Sequence, residues 1–189
     1  MLASIRALIV SLVLLTALTG IGYPLLTLGL AQALFSDQAN GSLLRRDGRV
    51  IGSRLIGQAF DEARYFWGRP SATTPVPYDA AGSSGSNLAP SNPALAQAVA
   101  TRSASLAAAD GKPNTPIPLD LVTASGSGLD PDLTVSAMYY QVDRVAAARG
   151  IDPSVVRALV DRHIEAPLWG ILGQRHVNVL AVNLALDSH

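Results

Sequence analysis

Ser125-Gly126-Ser127-Gly128 is the segment of this sequence whose local chemistry stands out. Its two glycines free the backbone, so successive amides can turn toward a shared concavity and form an anion-binding nest flanked by hydroxyls. The same residues also suit an ordinary tight turn, and four positions do not decide between the two. Elsewhere the residue types argue against catalysis. Lys112 is the only lysine, and Gly111-Lys112-Pro113 lacks the Ser or Thr and the helix start that a P-loop needs. A single lysine so placed also leaves no Ser-x-x-Lys pair, and neither Ser84 nor Ser127 has glycines two residues to each side, as a nucleophile elbow requires. His163, His176 and His189 lack ligand spacing, and Glu62 and Glu165 are the only glutamates, so no metal site is expected. Cysteine is absent, which removes thiolate chemistry, zinc ribbons and disulfides together.

The 14 basic and 14 acidic residues cancel, which gives no electrostatic footprint for nucleic acid. Charged residues make up only 15% of the 189, against about 25% in a typical soluble domain. The deficit sits at the N-terminus, where the 30 residues from Ala7 to Ser36 carry no charge. About 20 apolar residues span a hydrocarbon core, so a transmembrane helix over about residues 7–30, within an anchor of residues 1–36, is expected. Gly20-Ile21-Gly22-Tyr23-Pro24 should kink it. A cleaved signal peptide is the competing reading, with Ala31-Gln32-Ala33 in the small-x-small form of a cleavage site. The length of the apolar run, about twice that of a signal core, favours the anchor. Arg6 on one side and Arg45, Arg46 and Arg49 on the other leave the orientation open by charge alone.

Residues 37–189 have ordinary charge and suit a single α+β domain. Leu43 to Ile51 reads as a hairpin turning at Asp47-Gly48. Phe60, Tyr65, Phe66 and Trp67 crowd into a corner that is expected to be core. The Ser/Gly/Pro-rich stretch 71–93 forms either a mobile linker or an ordered binding loop. Asn92-Pro93 opens a helix over Ala94–Ala109, stopped by Asp110-Gly111-Lys112-Pro113. Two further helices, Val135–Arg149 and Pro153–Ile164, form a helical hairpin. The closing run Val177–Leu186 alternates and is expected to be a strand with both faces partly covered.

Several of these strings together resemble one family. Gly41-Ser42-Leu43, Leu55-Ile56-Gly57-Gln58, Arg69-Pro70-Ser71, Gly85-Ser86-Asn87, Asp120 through Pro131, Val177-Asn178-Val179-Leu180 and Asn183 through Asp187 resemble KdpC. This is the C subunit of the bacterial Kdp potassium-transporting ATPase, and the likeness runs nearly end to end. The resemblance implies a non-catalytic subunit with one span in the inner membrane, its N-terminus cytoplasmic and its domain periplasmic. It implies as partners a channel-like potassium-binding subunit, an ATP-hydrolysing P-type subunit, a small single-span subunit and membrane lipid. It also implies a catalytic-chaperone role that raises the ATP affinity of the pump subunit. Ser125, Gly126, Ser127, Gly128 and Gln141 match the positions given to nucleotide contact, with ATP the only cofactor in view and none held tightly. A periplasmic domain does not meet cytoplasmic ATP, however. The alternative is therefore an assembly and gating subunit that caps the potassium entrance.

Overall fold

The computed structural model describes residues 2–188, so His189 lies outside the described residues. The chain divides into two compact units between Ile51 and Gly52. The first opens with a near-continuous helix: α1 (Leu2–Ala17), a wide π turn (Leu18–Gly22) and α2 (Tyr23–Leu34). Pro24 explains the wide turn, because proline has no amide hydrogen and its ring crowds the preceding carbonyls. The chain bypasses it without breaking, since the Tyr23 amide reaches back five residues to the Leu18 carbonyl. The expected kink site is therefore met by a π turn. Thr19 and Thr27 return their hydroxyls to the carbonyls of Leu15 and Tyr23. From Ser4 to Leu34 the helix is 31 residues long and holds an 18-residue stretch with a mean hydropathy of 2.1, which is enough to cross a membrane. After one short turn, α3 (Ser36–Ala39), the strands β1 (Leu43–Arg46) and β2 (Arg49–Ser53) pair as a hairpin. Asp47 and Gly48 take φ of 51° and 76°, the left-handed values that a tight primed turn requires.

The second unit is the mixed helix and strand domain. α4 (Pro93–Asp110) begins with the Asn92 side chain capping the Ala94 amide and ends at Gly111, at φ 63°. It is a surface helix, and Leu106 and Asp110 are its buried residues. α5 (Leu119–Val122) is a single turn that buries Leu121 and Val122. β3 (Asp132–Thr134) leads directly into α6 (Val135–Arg149), which Thr134 caps at its start and Gly150 closes. α7 (Pro153–Arg162) returns antiparallel, burying Val156, Leu159 and Val160. It ends two residues earlier than its pattern suggests, because Ile164 and Glu165 form β4.

The closing segment differs from expectation. β5 is only His176–Asn178, and Val179–Leu186 forms a helix, α8. Alternation of Val177, Val179 and Ala181 with Asn178, Leu180 and Val182 suits a strand, but the same apolar residues also fit a helical face. Asn178 decides the matter by accepting the Ala181 amide as an N-cap. Val179, Val182, Asn183 and Leu186 then share one buried face at helical spacing. β5 lies between β3 and β4, antiparallel to both, with Leu133 and Ile164 flanking Val177.

The core gathers around α6, which is buried at eight positions including Gln141 and Arg144. Met138, Val145, Val156, Val160, Val177 and Val182 are fully enclosed there with Phe66. Truncating one such large side chain costs about 2–5 kcal/mol.

Candidate functional site

Residues 59–70 form no helix or strand, yet Phe66 is completely buried. Backbone polar groups entering a core need partners, and here side chains supply them. Asn183 Oδ1 accepts the Phe66 amide at 2.9 Å, and Asn183 Nδ2 donates to the Phe66 carbonyl at 3.0 Å. Gln141 repeats the pattern one residue on, accepting the Trp67 amide at 2.9 Å and donating to the Trp67 carbonyl at 3.1 Å. Two side-chain amides thus stand in for a neighbouring strand. Arg144 completes the clamp, donating to the carbonyls of Ala63 and Tyr65 and, at 2.6 Å, to Gln141 Oε1. Its guanidinium also lies 4.2 Å from the centre of the Trp67 ring. Asp110 balances the charge, with a carboxylate oxygen 3.0 Å from Arg144 Nε and both side chains almost fully enclosed. Burial pushes the Asp110 carboxyl above its ordinary value, and Arg144 partly opposes that shift.

Gln141 therefore sits in the core with no exposed surface, its amide bonded at both ends. Ser125–Gly128 belongs to a different network. Ser125 Oγ accepts the Gly128 amide at 2.8 Å, and Ser127 Oγ accepts the Leu129 amide at 3.1 Å. The Ser127 carbonyl receives the Ser84 amide and the Ser83 hydroxyl, and the Gly128 carbonyl receives the Ser71 hydroxyl. Gly126 and Ser127 stay exposed, while Ser125 and Gly128 are buried. No hydrogen bond joins Gln141 to this segment among the described residues.

From Ser71 to Gly85 the 71–93 stretch packs on Ser125–Gly128. Ser71 Oγ also accepts the Tyr78 amide, and Thr73 Oγ1 accepts the Asp79 amide. The strap fits only because glycines meet. A Cβ on Gly85 would sit 2.9 Å from the Gly126 carbonyl oxygen, and one on Gly128 only 2.6 Å from the Thr73 methyl. Tyr78 donates its hydroxyl to the Arg69 carbonyl at 2.5 Å, and burial, reinforced by Asp130, pushes its pKa up to about 12.

Beside this strap, folding gathers acids that are scattered in sequence. A cleft of about 500 Å3 is lined by Asp120, Asp130, Asp132 and Glu165 together with Arg69 and His176. Linear spacing hid this grouping, since β3, β4 and β5 bring it together only on pairing. Most of the acids are already engaged. Asp130 holds Arg69 at 3.0 Å, Asp120 accepts the Thr134 amide, and Asp132 accepts from Asn178. His176 Nε2 stands 3.9 Å from Asp132 and 3.7 Å from Glu165. Among the described residues no acids or histidines are grouped so as to hold a metal ion.

The model of the KdpC family, described as K+-transporting ATPase, c chain, matches residues 5–188. The chain belongs to the KdpC family. A potassium-transporting ATPase KdpC subunit from Sorangium cellulosum is 59% identical over 188 residues, covering 100% of this chain and 99% of the relative. Proteins of the same description from Variovorax paradoxus and Paraburkholderia xenovorans are each 56% identical, covering 97% of this chain and 95% of theirs. The match takes in the apolar helix, the Ser71–Gly85 strap, the amide clamp and the cleft.

Proposed function

We propose that this chain is the membrane-anchored, non-catalytic accessory subunit of an ATP-driven potassium import complex, and that it acts through protein contacts that assemble and gate the complex. The family match from end to end supports membership, and the 31-residue apolar helix supports anchoring. In this reading residues 37–189 lie on the periplasmic side of the inner membrane and the N-terminus is cytoplasmic. They meet the channel-like potassium-binding subunit, the P-type subunit that hydrolyses ATP and the small single-span subunit. One observation carries the choice of role. Gln141 spends both ends of its amide on the Trp67 backbone inside the core. Reaching a nucleotide would require opening that clamp. Gln141 is then a positioning residue, and any effect on the ATP affinity of the pump subunit passes through contacts between subunits.

Three measurements test this. The purified full chain in mild detergent should show no saturable ATP binding by calorimetry, and micromolar binding would overturn the assembly reading. Deleting residues 1–36 should abolish co-purification with the co-expressed subunits, whereas full assembly without them would refute the anchoring role. In spheroplasts an external protease should digest the domain, and protection would reverse the orientation.

A further inference from the structure

The connection between β4 and β5 is the most apolar exposed feature of the second unit. Nine residues, Ala166 through Gln174, carry no charge between Glu165 and Arg175. At the tip Trp169 is 80% exposed and Ile171 79%, with Leu168 and Leu172 at 59% and 54%. A tryptophan and three aliphatic side chains held in water form a patch that a folded domain does not need for its own stability.

The backbone shows how the patch is presented. The Leu168 amide donates to the Leu172 carbonyl at 2.9 Å, and the amides of Ile171 and Leu172 return to the Leu168 carbonyl. Trp169 and Gly170 take φ of 54° and 75°, a turn whose first central position suits asparagine or glycine and disfavours a bulky aromatic. The tip thus holds tryptophan where it is unfavourable both for solvation and for backbone conformation. It also closes on its own hydrogen bonds, leaving side chains to do the recognition.

The surroundings indicate the partner. Leu168 and Leu172 rim the same cleft as Asp120, Asp130, Asp132 and Glu165. Four carboxylates there outnumber Arg69 and His176, and Arg69 is paired with Asp130. An anionic lipid surface would be repelled by this flank, whereas a protein surface with basic groups around an apolar recess complements it.

We propose that the Leu168–Leu172 tip is a plug that seats in an apolar, basic-rimmed recess on another protein subunit of the potassium-transporting complex. The proposal rests on the complex membership read above. Trp169 and Ile171 fill the recess, and the acidic cleft faces its rim.

The test uses the co-expressed complex in mild detergent. Trp169→Asn with Ile171→Asn should weaken co-purification about tenfold or more, while the melting temperature of the isolated full chain holds or rises, because asparagine suits the left-handed position. Unchanged co-purification of this variant, with the unsubstituted chain binding normally, overturns the plug alone. Failure of the unsubstituted chain to co-purify overturns complex membership instead, and the plug with it. A photoreactive phenylalanine analogue at position 169 should cross-link to a protein subunit. Adducts only with lipid, or none, would overturn the proposal.

Discussion

Replacing Gln141 with leucine separates a structural clamp from a nucleotide contact, because the two side chains are close in volume and differ in hydrogen bonding. Gln141→Leu removes the bonds to the Trp67 amide and carbonyl, the Ala137 carbonyl and Arg144. The Trp67 groups are left without a partner, at about 1–3 kcal/mol each. Arg144 retains Asp110 and the carbonyls of Ala63 and Tyr65, which limits its loss. Leucine returns about 1–2 kcal/mol through its greater burial of apolar surface. The net destabilisation is about 2–4 kcal/mol, a large share of the ~5–15 kcal/mol that holds a typical domain folded. The melting temperature should fall by roughly 8–15 °C. Urea unfolding of the full chain in mild detergent, followed by fluorescence, reads this directly, since Trp67 lies against the Arg144 guanidinium. A Gln141→Leu chain within ~0.5 kcal/mol of the parent, in a complex whose ATP affinity falls, would refute the clamp and favour nucleotide contact.

Two further perturbations probe the neighbouring networks. Gly128→Ala places a methyl group 2.6 Å from the Thr73 side chain and 2.7 Å from the Ser84 carbonyl, at a φ of 68°. It should cost about 2–4 kcal/mol and speed amide exchange across Ser71–Gly85; unchanged exchange there would show that the strap is not held by this contact. Burial raises the Asp187 carboxyl, but Arg149 at 2.8 Å and the Tyr65 hydroxyl at 3.0 Å together outweigh it and hold its pKa below the ordinary 3.8. A depressed folded pKa means that the unfolded chain binds the proton first. The stabilisation is therefore complete above the ordinary carboxylate range and lost as pH falls from about 4 through the lower folded value. Asp187→Asn should flatten that part of the stability curve, and an unchanged acid limb would count against the assignment.

Much of the architecture is legible in the sequence because its signals are local. The apolar run, the Asp47-Gly48 turn, the Asn92 cap and the terminating Gly111 and Gly150 each act within a few residues. α8 was obscured because its cap, Asn178, also serves as the last residue of a strand. The acidic cleft was obscured for another reason: its residues belong to segments that meet only when three short strands pair.

The sequence alone determined an uncharged run long enough for a membrane helix, a mixed domain of ordinary charge and a family likeness that runs nearly end to end. Tertiary structure decided what the polar residues do. Whether a glutamine contacts a ligand or supports the backbone depends on what lies within about 3 Å of its amide, and sequence spacing does not encode that distance. Folding places the Trp67 backbone, 74 positions away in sequence, against Gln141 and the Phe66 backbone, 117 positions away, against Asn183. Buried amide side chains and a strandless segment thereby satisfy one another, as removal from water requires.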